Sequence, residues 1–361
     1  MKINEFENYL YACRFCTMCK PFGEVSCVTK DETHSTRIRA MLLWRVATGK
    51  APWDANISQV VYQCSLNTVN QAWCLDRVPV PRYILAARED LCQAGFAPDV
   101  VKDYSIPSGD SIAEKLAPYT NPRAEVLLYP GDALAAGDPD SAISALKLIS
   151  KLGISAGLPG KLFDSGGLAY CLGRTDLLRE QASQVLGSFE GATLVIVDGP
   201  LSMWALSTVY SSLGVPLPPN IQFSLLTDWL IEQRLNTRLS FPEMPERVYL
   251  VGSEFSRLLK DGVGSYESFR KLIETVPGLV LIEPVDRLEL AHSSGAGGGL
   301  HLVNSDLALA VSRQRVEEAL QANACWLVTD SPLDAAQLKL ASPAQLCVLT
   351  VTEFLENATP T

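Results

Sequence analysis

Basic charge is in short supply in this chain. Its 361 residues carry 30 Lys and Arg against 40 Asp and Glu, a formal net charge of −10. That deficit argues against nucleic acid or an anionic membrane as the main partner, because both recruit basic surfaces. Long apolar runs are also missing. None approaches the ~20 residues needed to cross a bilayer, and the opening MKINEFENYLYACRFC carries no apolar leader. The expectation is a cytoplasmic protein. Histidine is scarce: His34, His292 and His301 are the only three. Apolar residues nonetheless make up 47% and charged residues 19%, a balance that supports real cores, and the length calls for two or three domains.

Cysteine is what the chain has, and most of it is at one end. Six of the ten cysteines lie within the first 74 residues, some only two residues apart. Without a secretion signal, such clustering points to metal ligation rather than disulfides. Cys13, Cys16 and Cys19 form C-x2-C-x2-C, a pitch that wraps three corners of one cubane and needs a fourth ligand from elsewhere. A second motif, CSLNTVNQAWC, places Cys64, Asn67, Asn70 and Cys74 at the spacing x2, x2, x3, with asparagine at its two middle positions. In two-cluster ferredoxins the last cysteine of each motif serves the other cluster. By that rule one ligand set is complete: Cys13, Cys16, Cys19 and Cys74. The other set needs Cys64, positions 67 and 70, and the fourth position of the first motif. That position is Gly23, so three of its four ligands are missing. Cys27 stays open as an alternative fourth ligand, and zinc on Cys13, Cys16, Cys19 and Cys27 as an alternative metal. Cys64 is expected to be a buried thiol, and Cys92, Cys171, Cys325 and Cys347 ordinary buried cysteines.

The texture of the chain divides it. Residues 1–120 read as helical. HSTRIRAMLLWRVATGK puts Ile38, Met41, Leu42 and Val46 on one face with Gly49 as the stop, and VPRYILAAREDLCQAG is opened by prolines and closed by Gly95. Beyond residue 120, the apolar strands EVLLYPG, ATLVIVDGP, RVYLVGS, GLVLIEP, ACWLVTDSP and LCVLTVTEF alternate with amphipathic helices, which implies α/β layers with mainly parallel sheets. Proline-bearing FPEMPERVY divides this part near residue 241. Each half runs from a strand through a helix to a Gly-rich loop (FDSGGLAY, then HSSGAGGGL), and ends in a strand followed by proline, which reads as a tandem duplication. The second loop is not a dinucleotide motif, because G-x-G-x-x-G from Gly295 would need glycine at Leu300. No nucleophile elbow surrounds Ser293 or Ser294. A phosphate or flavin contact at the backbone N–H groups stays open, beside the plainer reading that these glycines serve positive φ or close packing. His292 and His301 flank the loop without further metal-ligand spacing and read as solvated or hydrogen-bonded side chains.

With CRFCTMC, the ETHSTRIRAMLLWRV helix, VPVPRYILAARE and the paired Gly-rich loops in view, the chain resembles the iron–sulfur subunits of the heterodisulfide reductase and glycolate oxidase type. The resemblance implies an α+β multidomain chain: an α-helical ferredoxin-like domain over 1–120, then two tandem α/β CCG-like domains over 121–241 and 242–361. It also implies where thiolates would stand in an intact CCG domain. In the second repeat they fall near Ser253, on Ser293-Ser294, and on Ser331 and Asp334. In the first they fall near Asp132, on the Asp164-Ser165-Gly166 loop and within GPLSM. Every one of these thiolates is absent, and hard oxygen donors are poor replacements around iron–sulfur centres.

The function implied is electron transfer through one [4Fe–4S] cluster on Cys13, Cys16, Cys19 and Cys74, in a subunit of a multi-subunit FAD-linked dehydrogenase. The degenerate α/β domains would then be scaffold and docking surface, with a downstream electron acceptor completing the path. Trp73, Arg14 and Phe15 are expected to shield the cluster. The alternative is a non-redox structural subunit whose cysteine site is empty or holds zinc.

Overall fold

The computed structural model describes residues 1–233, 238–259 and 262–359. Every named element before Val126 is helical. Helix α1 (Glu7–Cys13) delivers the first cysteine, α2 (Thr36–Ala47) follows, and α3 (Val80–Gln93) carries the longest run of this part. The predicted stops hold. Gly49 and Gly95 take φ of +69° and +78°, and Lys50 N–H returns to Arg45 O at 2.7 Å, the closing bond of a left-handed glycine cap. The face of α2 is rotated from the sequence reading. Arg39, Ala40, Leu43 and Val46 are buried, whereas Ile38, Met41 and Leu42 are only partly so. The cause is polar: Arg39 turns inward, where its Nε donates to Val60 O and its Nη2 to Gln63 O, and this draws one side of the helix into the core.

After the helical part come strands β1 (Val126–Tyr129), β2 (Leu194–Val197) and β3 (Gln222–Leu225), forming one parallel sheet in that order. A second parallel sheet contains β4 (Arg247–Val251), β5 (Val280–Ile282), β6 (Trp326–Thr329) and β7 (Cys347–Thr350), ordered β5-β4-β6-β7. Gly157 bridges Leu127 in parallel, so the first sheet carries a trace of the strand that β5 makes complete in the second. All six strands expected from apolar runs are present. The seventh, β3, was missed because its sequence QFSL has only two apolar residues and lies at a sheet edge.

The two halves also repeat in their helices. In the first, α4 (Gly131–Ala136) and α5 (Asp140–Lys151) follow β1, α6 (Thr175–Gly187) precedes β2, α7 (Pro200–Trp204) follows it, and α8 (Leu226–Glu232) follows β3. The second half has α9 (Glu254–Leu258), α10 (Gly262–Glu274), α11 (Ser305–Gln321), α12 (Pro332–Lys339) and α13 (Val351–Ala358) at the matching places. Packing between the halves is reciprocal. Helix α5 lies on α13 as α10 lies on α8, and α4 lies on α12 as α9 lies on α7. That is the signature of a pseudo-two-fold relation. Strand alternation distributes the core: Leu127, Tyr129, Val195 and Val197 face the N-terminal helices, while Leu128 and Ile196 face a core shared with Val248, Leu250 and Phe354. Cys325 and Cys347 are exposed rather than buried, because they stand at the entry ends of adjacent strands, with Cys347 N–H donating to Cys325 O. Among the described residues, no helix is long and apolar enough to cross a membrane.

One buried side chain ties the parts together. Arg88, fully buried on α3, donates from Nη1 to Cys171 O at 2.7 Å and to Gly298 O at 2.6 Å, and from Nη2 to Cys64 O at 2.5 Å. These carbonyls belong to the first repeat, the second repeat and the second cysteine motif. Replacing Arg88 by Met should therefore lower stability by about 3–5 kcal/mol, because buried carbonyls lose their charged donor. Urea unfolding checks this, and a midpoint equal to wild type would show that the carbonyls find other partners.

Candidate functional site

The two cysteine motifs meet at one cavity. Helix α1 ends at Cys13, and a tight turn brings Cys16 N–H to Cys13 O at 3.1 Å. Cys19 begins a short 3-10 turn. Cys74 arrives just after the short helix Val69–Ala72, its N–H on Gln71 O at 3.2 Å. Arg77 follows with φ of +48°, a left-handed conformation uncommon outside glycine. Cys13, Cys16, Cys19 and Cys74, together with Thr36 and Asn70, line a cavity of about 170 Å³. All four are free thiols. Burial pushes Cys13 up to about 12, with further upward contributions from Cys74, Cys19 and Cys16. Burial also raises Cys19, the Thr36 hydroxyl offsetting part of the effect. Thiols this close cannot ionise together unless a cationic group compensates them. Among the described residues, no three Cys, His, Asp or Glu side chains converge tightly enough for a single ion. The thiols instead surround an open space.

Cys27 does not line this cavity; its Sγ donates to Pro21 O at 2.8 Å. Phe15 and Trp73 do not cover it. Phe15 is 69% exposed, Trp73 stacks on Phe22 with ring centroids 3.9 Å apart, and Leu75 and Met18 add to an exposed apolar rim. Arg14 is held over the rings of Tyr11, Phe15 and Trp44, 3.7 Å from the last. The expected shielding is therefore a rim that meets solvent.

The incomplete second ligand set is filled by the protein itself. Cys64 is buried. Asn67 Nδ2 donates to Glu24 Oε2 at 2.9 Å. A Cβ on Gly23 would fall 2.7 Å from Ser26 Oγ and 3.7 Å from Asn70 Oδ1, so these groups close the space where further ligands would stand. Asn70 also lines the first cavity.

The serine loops are closed in the same manner. Glu24, buried in the helical part, accepts from Ser293 N–H and Ser293 Oγ, both at 2.8 Å. Ser294 Oγ donates to Asp334, Ser331 Oγ accepts from Asp334 N–H at 3.3 Å, and Asp330 accepts from Ser253 N–H at 2.7 Å and Ser256 Oγ at 2.6 Å. In the first repeat, Asp132 accepts from Leu201 and Ser202 N–H, Asp198 accepts from Asp132 and Ala133 N–H, and Ser202 Oγ lies 3.3 Å from Ser165 Oγ. The glycines serve shape. A Cβ at Gly297 would overlap the Glu254 carboxylate at 1.2 Å, and one at Gly298, where φ is +57°, would strike Leu66 and Ser65. His301 Nδ1 pairs with Ala296 O at 2.9 Å, and His34 with Thr29 and Gln63. Glu24, Glu254, Asp198 and Asp330 had no motif to announce them. A lone acid in an apolar stretch was their only trace.

No family model matches the chain, and no curated protein matches it. Among solved structures, a hypothetical protein from Helicobacter pylori superposes over 100% of this chain and 76% of its own, with a TM-score of 0.61 at 13% identity. That likeness establishes a shared fold alone. An aspartate racemase homologue from Pyrococcus horikoshii OT3 covers 64% of this chain and 95% of its own at 14% identity, with a TM-score of 0.25, too weak to carry an argument.

Burial raises the loop carboxylates. Asp132 is pushed up to about 6, Asp330 to about 6 and Asp164 to about 7, from an ordinary 3.8. Between those values the native state binds more protons than the unfolded chain, so stability falls as pH rises. We expect the urea midpoint to drop between pH 5 and pH 8, by about 3 kcal/mol in stability from Asp164 alone. Asp164→Asn should flatten the dependence. Stability that rises over this range would contradict the assignment.

Proposed function

We propose that Cys13, Cys16, Cys19 and Cys74 hold one [4Fe–4S] cluster, and that the chain is an iron–sulfur electron-transfer subunit of a multi-subunit FAD-linked dehydrogenase. On this reading the helical part is a ferredoxin-like domain, and the two α/β repeats are CCG-like domains without their ligands. The observation that carries the proposal is that thiols from two separate motifs ring a single cavity near the surface. When bound, such a group supplies one-electron transfer. The chain's own contribution is soft ligation by four thiolates, which suits iron–sulfur centres and zinc alike. The C-x2-C-x2-C pitch of Cys13, Cys16 and Cys19, with Cys74 on the same cavity, favours the polynuclear group. Ten free cysteines, none of them paired, fit a reducing compartment such as the cytoplasm.

The geometry of the rim fits a relay rather than a catalyst. Phe15, Met18, Trp73 and Leu75 expose apolar surface beside Cys16, itself exposed, and this is where a redox partner would dock close to the thiols. The serine and aspartate loops sit in the core, which suits scaffold better than a substrate site.

Iron and acid-labile sulfide, measured per chain on anaerobically purified protein, should come to about four of each, with a reduced-cubane EPR signal after dithionite. Cys74→Ser should abolish that signal, while Cys27→Ser and Cys64→Ser retain it. Zinc in place of iron, or no metal after reconstitution, would overturn the carrier in favour of a structural subunit.

A further inference from the structure

The beginning of α2 points into the cysteine cavity. Ser35 caps the helix, its Oγ accepting from Ile38 N–H at 3.3 Å, so the hydroxyl of the next residue, Thr36, is not needed for capping. Thr36 is only 4% exposed, lines the cavity beside the four cysteines, and its Oγ1, without an oxygen or nitrogen partner, is turned toward Cys19. A buried hydroxyl in this state calls for an acceptor, and the cavity it faces is where one would be. Helix α2 has 12 residues, and its N-terminal end adds the equivalent of roughly half a positive charge directed the same way. Arg37 lines the cavity next to it, held by Nε to Arg14 O at 3.3 Å and by Nη1 to Glu32 at 3.4 Å.

We infer that Thr36, at the N-terminal end of α2, is a positioning residue that sets the reduction potential of the group held by Cys13, Cys16, Cys19 and Cys74. This rests on the cluster reading above. Its O–H donates to sulfur, and with the helix end it favours the state carrying one more electron. One-electron reduction adds a negative charge to a site already ringed by thiolates. A fixed donor and a positive helix end stabilise that charge more than they stabilise the oxidised state, which moves the potential upward. A threonine present only for packing would leave the potential unchanged.

The test is an EPR-monitored redox titration of the full-length, cluster-reconstituted chain as wild type, Thr36→Val and Thr36→Ser. Valine keeps the shape and removes the donor. It should retain iron and sulfide but shift the midpoint to more negative potential, with the reduced-to-oxidised ratio at fixed potential falling roughly tenfold, about 59 mV for one electron. Serine restores the hydroxyl and should return the midpoint toward wild type. Should valine fail to fold, Thr36→Ala provides the same comparison. A donor-less variant with full iron content and an unchanged midpoint would overturn the role of Thr36 while leaving the cluster reading intact. Loss of iron in the serine variant as well would overturn it in favour of a purely structural threonine. A wild-type chain that takes up no iron–sulfur group would overturn both.

Discussion

The guanidinium of Arg88 is a fixed charge in the deepest part of the molecule, and three segments distant in sequence share it as a hydrogen-bond donor. A buried cation of this kind is tolerable only where carbonyl oxygens surround it. The chain therefore has to bring the Cys64 segment, the end of the helix at Cys171 and the loop at Gly298 to one point. Several local features follow from that demand. Leu66 accepts a left-handed φ of +62°, and Gly298 has no room for a side chain because Ser65 and Leu66 press against it. The segment anchored through Cys64 O leads within ten residues to Cys74, so the joint between domains also places the last cysteine of the cavity.

Around that joint lie two kinds of polar site. In the α/β repeats and the second cysteine motif, serine, aspartate, asparagine and glutamate donate to and accept from one another, with Glu24 bonding both Asn67 and Ser293. Carboxylates that accept two backbone N–H groups are held in place without any external group. The remaining cysteine cavity is the opposite. Its thiols repel one another once ionised, and the Thr36 hydroxyl is turned toward Cys19. That difference in lining, four thiols here against hydroxyls and carboxylates there, is the clearest contrast between the two kinds of site. It supports reading the cavity as the place where a group belongs.

The packing between repeats holds the α/β half together. Reciprocal contacts between equivalent helices bury the apolar faces of both sheets in one shared core. Another core runs from the N-terminal helices through the first sheet as far as Phe255, Ala296 and Leu333. Loss of either repeat would expose a core belonging equally to its neighbour.

Period and punctuation in the sequence were enough to locate six of seven strands and the ends of two main helices, because apolar runs and left-handed glycines act locally. The cysteine spacing likewise marked which four side chains to follow. What sequence alone could not determine is anything that depends on a distant partner. The buried face of α2 turned on Arg39 reaching carbonyls beyond residue 59, and β3 owed its place to a neighbouring strand rather than its own apolar content. The roles of Glu24, Arg88 and Thr36 depend on segments up to 269 positions away. A residue's type reports its own chemistry, whereas burial and hydrogen-bond satisfaction belong to the pair. Local order was written in the sequence; which polar groups found partners, and which were left facing an open cavity, was decided by the tertiary fold.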